Sequence, residues 1–146
     1  SFFLKGSLVK EAEALAINLD IQKRCTFLSN EEAEIFLSAL DVADAALLVP
    51  VHGDRYVHPE IYTLLHSPAP VVAVHEGAYS NLLTDQNCVE VLSSAESIAE
   101  GIIRVIQEPL FSIGLGAEGQ QLIADRFSLS SFKHKIRMTY HEMVKK

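Results

Sequence analysis

The sequence predicts an α/β domain built as a doubly wound parallel sheet with helices on both faces. Three observations predict it. Short apolar runs alternate with helical patterns along the whole chain. Residues 45–49 (Ala-Ala-Leu-Leu-Val) and 71–74 (Val-Val-Ala-Val) show no polar alternation, as strands covered on both faces require. The order β-α-β-α-β-α-β-α-β-α-α-α implies right-handed crossovers between parallel strands.

The elements follow in chain order. Residues 2–4 (Phe-Phe-Leu) form a short strand ended by Lys5-Gly6, and Leu8, Ala12, Leu15 and Leu19 then recur at helical spacing over residues 7–19. Residues 24–28 (Arg-Cys-Thr-Phe-Leu) are a β-rich run. Ser29 followed by Glu32 has capping-box spacing, and it opens a helix with Phe36, Ala39 and Leu40 facing inward. The strand over 45–49 ends at Pro50, and 51–57 is a loop. Residues 58–66 are a helix with Pro59 in its first turn, where a missing N–H costs nothing. The strand over 71–74 leads into a loop and short helical turn at 77–84, then a strand at 88–92. Ser93 and Glu96 form a second capping box, starting a helix that buries Ile98, Ala99, Ile102, Val105 and Ile106 and stops at Pro109. A helical stretch over 110–127 is loosened by Gly114, Gly116 and Gly119. The last helix, 130–146, carries Phe132, Ile136, Tyr140, Met143 and Val144 at helical spacing.

The 146 residues make one domain by length, 1–146, and 49% hydrophobic composition is enough for a core. The abrupt opening on Ser1-Phe2-Phe3-Leu4 suggests a piece of a longer protein. A net charge of −7 argues against a nucleic-acid surface. Lys133, Lys135, Arg137, Lys145 and Lys146 gather in the tail. A solvated helix face is the first reading of that patch, and peripheral association with an anionic membrane surface is the other. Cys25 and Cys88 read as two buried thiols in a reducing compartment. No signal peptide is visible, and no apolar run approaches the ~20 residues that span a bilayer, so the expected location is the cytoplasm.

In open parallel sheets, ligands bind beyond the carboxyl ends of the strands. The most polar connection of that kind is Pro50-Val51-His52-Gly53-Asp54-Arg55-Tyr56-Val57-His58, which runs into a helix N-terminus able to stabilise a phosphate. The alternative is an ordinary strand-to-helix loop. His52, His58 and Asp54 are residue types that bind zinc or iron, but no second cluster completes a site, so no metal is expected. Gly77-Ala78-Tyr79-Ser80-Asn81 could turn its amides towards an anion, whereas His75 and Glu76 read as solvated. Gly114-Leu115-Gly116 lies between helices and is no dinucleotide fingerprint. His66, His134 and His141 fall on helices as surface or half-buried residues, and Tyr140 and Met143 read as packing residues.

Several segments together resemble one family. Phe3-Leu4-Lys5-Gly6, Cys25-Thr26-Phe27-Leu28-Ser29, Ala43-Asp44-Ala45 running to Pro50, Ala69-Pro70-Val71-Val72-Ala73, Gly77 to Asn81, Asp85-Gln86-Asn87-Cys88, Arg126-Phe127-Ser128 and Tyr140 line up in order and spacing. The domain they resemble is the C-terminal, nucleotide-sugar-binding, Rossmann-like half of the retaining GT-B glycosyltransferases called family 4 or group 1. The resemblance covers nearly the whole chain. It implies a donor-binding domain that moves a sugar from a nucleotide-sugar to a carbohydrate or lipid-linked acceptor, as in polysaccharide biosynthesis. It also implies an N-terminal GT-B domain as partner, and no cofactor beyond the donor substrate.

Carried residue by residue, the resemblance makes Asp54 the catalytic-site carboxylate that orients donor hydroxyls. Gly53, Arg55, Tyr56, Val57, His58, Tyr62, Thr63, Gly77 and Ala78 become donor-binding positions. The family's E-x-F-G-x-P-x-x-E motif is degenerate here. Asp54 replaces the first Glu, Tyr56 the Phe, Val57 the Gly and Tyr62 the ribose-binding Glu; Pro59 matches. A one-residue shift puts Arg55 and Thr63 at the two Glu positions instead. Asn81 replaces the Glu of the family's G-G-x-x-E turn. Loss of a carboxylate accepting hydroxyl hydrogen bonds costs on the order of 1.5–3 kcal/mol per charged bond, enough to weaken a ligand about tenfold or more. The alternative is therefore a catalytically degenerate GT-B half acting as a scaffold or partner-binding module. A flavodoxin-like or response-regulator-like domain also fits the alternation, but the sequence lacks its acidic cluster and late Lys.

Overall fold

A computed structural model describes residues 2–29, 32–50, 57, 59–74, 79 and 81–144. It is α/β with parallel strands, as the sequence predicts, and the chain forms two compact units, Ser1–Val42 and Ala43–Lys146.

In the first unit, β1 (Phe2–Lys5) and β2 (Cys25–Leu28) pair in parallel with Phe2 opposite Cys25. Between them run α1 (Val9–Asn18) and a 3-10 turn (Gln22–Arg24). The helix expected over 7–19 is present, and its leucines do not form its inward side. Leu8, Leu15 and Leu19 are exposed, while Val9 and Ala12 are half-buried and Ala16 is buried. Leucine spacing marks the helix, while the side that approaches the sheet carries the small Ala16. α2 (Ala33–Leu40) buries Leu40 and half-buries Phe36 and Ala39. Its entry uses half of the predicted box. The Ser29 amide donates to Glu32 Oε2 at 2.8 Å, but the Ser29 hydroxyl also donates to that oxygen, at 2.9 Å, rather than accepting from the helix. These bonds hold the Glu32 carboxyl below its ordinary pKa.

In the second unit, β3 (Ala46–Leu48), β4 (Val71–Val74) and β5 (Cys88–Val91) form a parallel sheet in the order β3-β4-β5. Ala46 lies opposite Val71, and Val71 opposite Cys88. Every residue of β4 is buried, as its unbroken apolar run requires. β3 departs from that expectation, with Leu47 and Val49 exposed, because it stands at the end of the three-strand order. Five-residue apolar composition cannot distinguish an end strand from a central one.

α4 (Ala95–Gln107) covers one sheet face, where Val72, Val74, Val89, Val91, Val105 and Leu115 make a core joined by Ile98, Ile102 and Phe111. Predicted core residues Ala99 and Ile106 are exposed. The helix instead turns Gly101 to the sheet, where an added Cβ would sit 2.6 Å from Val91 Cγ1 and 3.1 Å from Val72 Cγ1. Its cap lies one residue later than predicted. Ser94 Oγ accepts from the Ser97 amide at 3.2 Å, while Ser97 Oγ accepts from the Leu92 amide at 3.0 Å. This is a reciprocal pair in which serine takes the part expected of Glu96.

α3 (Glu60–His66) and α5 (Pro109–Arg126) pack closely. Gly116 and Gly119 do not loosen α5, which is continuous. They let the Pro68 and Leu65 carbonyls approach, since a Cβ on Gly116 would sit 2.5 Å from Pro68 O and one on Gly119 3.0 Å from Leu65 O. α6 (Leu129–Val144) has no buried residue. Tyr140 and Met143, expected to pack, are exposed.

Candidate functional site

Parallel pairing decides where chemistry can gather. β3, β4 and β5 run the same way in register, so all three carboxyl ends meet one edge of the sheet in the second unit. The chain leaves β3 at Val49-Pro50 and β4 at Val74 towards that edge, and α4 begins there after β5. Of the predicted positions, Val57, Tyr62 and Thr63 are among the described residues. Gly53, Asp54, Arg55, Tyr56, His58, Gly77 and Ala78 lie outside them, as do His52, His75 and Glu76.

Val57 is half-buried. The helix after it begins at Glu60 rather than 58, with Pro59 as its first flanking residue and no side-chain cap. Its early amides are partly committed, because the Tyr62 N–H already donates to Pro59 O at 3.1 Å. Thr63 is half-buried, and its carbonyl accepts from the Ser67 amide at 3.1 Å. Tyr62 is half-buried too. Its ring lies 4.9 Å from that of Phe127, tilted by 55°, within the centroid range of favourable aromatic pairs. The Tyr62 side chain is thus held by aromatic packing between α3 and the end of α5.

Two anchors escaped the sequence reading. Tyr79 is 1% exposed, and its carbonyl accepts from the amides of Leu82 and Leu83 at 2.8 and 2.9 Å. This fixes the turn that follows the 75–78 segment. Asn87 is buried. Its Oδ1 accepts from the Thr84 amide at 3.0 Å and its Nδ2 donates to Leu82 O at 2.8 Å. Asn87 therefore pins the approach to β5, a structural duty at the amino end of the strands. The signal was the turn-forming Asp-Gln-Asn run, which does not reveal burial.

Near that same end lies an open groove of about 670 Å³ lined by Leu83, Asp85, Cys88, Glu90, Arg104 and Phe111. It sits around the beginning of β5, away from the carboxyl edge, so it is no part of the predicted donor site. Arg104 stacks over the Phe111 ring at 4.3 Å and pairs with Glu108 at 3.5 Å. Burial, reinforced by the Glu90 and Asp85 charges, pushes the Cys88 thiol up to about 12, which makes it inert. Cys25 is only half-buried, not buried as predicted. Among the described residues no group of His, Cys, Asp and Glu could hold a metal ion, and no helix is long and apolar enough to cross a membrane.

Parallel strands with their carboxyl ends gathered at one edge define the class of fold as α/β, and comparison with solved structures makes that class specific. The chain matches a sucrose-phosphate synthase from Thermosynechococcus elongatus over 93% of its length, with a TM-score of 0.72 and 19% identity. It matches Anabaena HepE solved with UDP-glucose over 97% of its length, with a TM-score of 0.75 and 17% identity. HepE solved with UDP gives a TM-score of 0.73 at 18% identity over 92% of the chain. The fold is therefore one found within GT-B glycosyltransferases. The chain spans 34% of the synthase and 36–40% of HepE. No protein-family model matches the sequence, and no curated protein does.

Proposed function

We propose that this chain is the donor-binding part of a glycosyltransferase, holding a nucleotide-sugar at the carboxyl edge of its parallel strands. One observation carries the reading: nearly the whole chain superposes on proteins whose solved structures hold UDP and UDP-glucose. In this reading the loop after β3 supplies Asp54 to orient sugar hydroxyls, with Gly53, Arg55, Tyr56, Val57 and His58 shaping the donor pocket. Gly77 and Ala78, after β4, offer amides to the diphosphate, and Tyr62 and Thr63 border the ribose. Stabilisation of the leaving diphosphate by preorganised donors is the catalytic principle, with no cofactor invoked. The acceptor, carbohydrate or lipid-linked, and a role in polysaccharide biosynthesis belong to the same proposal, as do an N-terminal GT-B domain as partner and a cytoplasmic location.

The experiment is a titration of the isotopically labelled chain with UDP and GDP, followed by amide shifts. Saturable shifts confined to residues 50–63 and 77–82 are expected. No response at millimolar nucleotide overturns donor binding by this chain.

One observation favours a second reading, a degenerate half that serves as a scaffold. The resemblance assigns Tyr62 to the position of a ribose-binding carboxylate, and its ring is engaged by Phe127. If the pocket is only missing its carboxylate, Tyr62→Glu tightens UDP binding by about tenfold. If aromatic packing has filled it, that variant loses stability and gains no nucleotide affinity.

A further inference from the structure

α3 and α5 lie alongside each other in opposite directions. Gly119 faces Leu65 O, Gln120 Nε2 donates to His66 O at 3.1 Å, and Phe127 meets Tyr62. Moving back along α3 is therefore moving forward along α5. The end of α5 reaches the first turn of α3, where the chain arrives from the connection after β3.

That first turn has few fastenings of its own. α3 has seven residues, too few for an isolated helix to be stable. Its amino end carries no side-chain cap, so the usual anchor of an entering helix is missing. Ile61 is fully buried, whereas Glu60 is exposed. Burial of Ile61 sets how deep the turn sits. A second contact in another direction is needed to stop the turn rotating about that anchor. Tyr62, 100° further round the helix, supplies it through the Phe127 ring at 4.9 Å.

Phe127 stands on a fixed base. Its amide donates to Ile123 O at 3.0 Å, closing α5, and the Arg126 guanidinium lies 5.6 Å from the centre of its ring. Beyond it, Ser128 Oγ accepts from the Ser131 amide at 3.2 Å, and Lys135 Nζ donates to Arg126 O at 3.2 Å. The corner between α5 and α6 is thus tied on both sides of Phe127.

We infer that Phe127 is a positioning residue, which acts through Tyr62 to hold the first turn of α3 in the orientation that receives a nucleotide-sugar. The inference rests on the donor-binding reading proposed above and adds to it a residue on a different helix. Packing around a site fixes the geometry of the groups that contact a ligand. Without the ring, the first turn samples other orientations, and affinity falls by the fraction of the chain left in the competent one. The strength of an aromatic pair bounds that loss at about two- to tenfold.

The test compares Phe127→Leu and Phe127→Tyr in the isotopically labelled chain. Backbone order parameters over residues 59–63 and the Kd for UDP are read for each. Phe127→Leu removes the ring and keeps apolar bulk. Its order parameters over 59–63 should fall from about 0.85 towards 0.6 while those of β4 stay at the parent value, and its Kd should rise about three- to tenfold. Phe127→Tyr keeps the ring, and its hydroxyl reaches water because Phe127 is 40% exposed, so both readouts should match the parent. A general loss of stability would not produce a change confined to 59–63. Unchanged order or an unchanged Kd in Phe127→Leu overturns the inference and leaves the donor reading standing. So does a Phe127→Tyr variant as impaired as Phe127→Leu. Absence of UDP binding by the parent chain overturns both, so the parent alone tells the two failures apart.

Discussion

Replacing Gly116 by alanine tests the close approach between α3 and α5. In an exposed helix interior, Gly→Ala stabilises by about 1 kcal/mol through backbone entropy alone. Gly114 is such a position, with nothing within 4 Å of an added Cβ. Gly116, two residues later on the same helix, is buried, and its Cβ would lie 2.5 Å from Pro68 O and 3.3 Å from Pro68 C. Backbone atoms cannot rotate away as a side-chain end can. Overpacking of this kind costs roughly 1–3 kcal/mol, and the upper half of that range applies because a carbonyl is struck. Subtracting the propensity gain leaves Gly116→Ala destabilised by about 1–2 kcal/mol, while Gly114→Ala gains up to about 1. Urea unfolding followed at 222 nm reads both. The two variants should differ in opposite directions by about 2–3 kcal/mol. Equal effects, or stabilisation by both, would refute the packing described between α5 and the Pro68 turn.

Other outcomes follow from the same geometry. Ser94→Ala should cost about 1 kcal/mol in urea unfolding, because it strips the Ser97 amide of its cap. Gly101→Ala should destabilise by about 1–2 kcal/mol despite its helix-favouring side chain, since Val91 and Val72 stand where the methyl would go. At pH 8 in native buffer, iodoacetamide should modify Cys25 readily and Cys88 only after unfolding. The Cys88 thiol ionises at about 12 in the fold and near 8.5 in an unfolded chain. Between these values the unfolded state loses a proton that the folded state keeps, so stability falls as pH rises above roughly 9. A Cys88→Ala variant should lose that alkaline slope. For Glu32 the sign is reversed. Its depressed carboxyl favours the fold above its ordinary pKa, and that contribution disappears as pH falls through the lowered value.

The sequence by itself determined the class of fold. Periodicity needs only the chain's own order, so the alternation of short apolar runs with helical stripes placed the five strands and six helices seen among the described residues within a few residues. It also drew attention to the connections after the third and fourth strands, because parallel strands gather their carboxyl ends at one edge. What it could not determine was which surfaces meet. Leu15 and Ile106 look like core residues by spacing and are exposed, while Ala16 and Gly101 bury the faces that count. Burial depends on what packs opposite, and that partner is distant in sequence. The same reason separates Gly116 as a breaker from Gly116 as a contact, and Asn87 as a turn residue from Asn87 as a buried clasp. It also separates Tyr62 as a missing carboxylate from Tyr62 as a ring packed on Phe127. Local chemistry is written in neighbouring residues, whereas complementarity between residues 62 and 127 exists only once the chain has brought them to 4.9 Å.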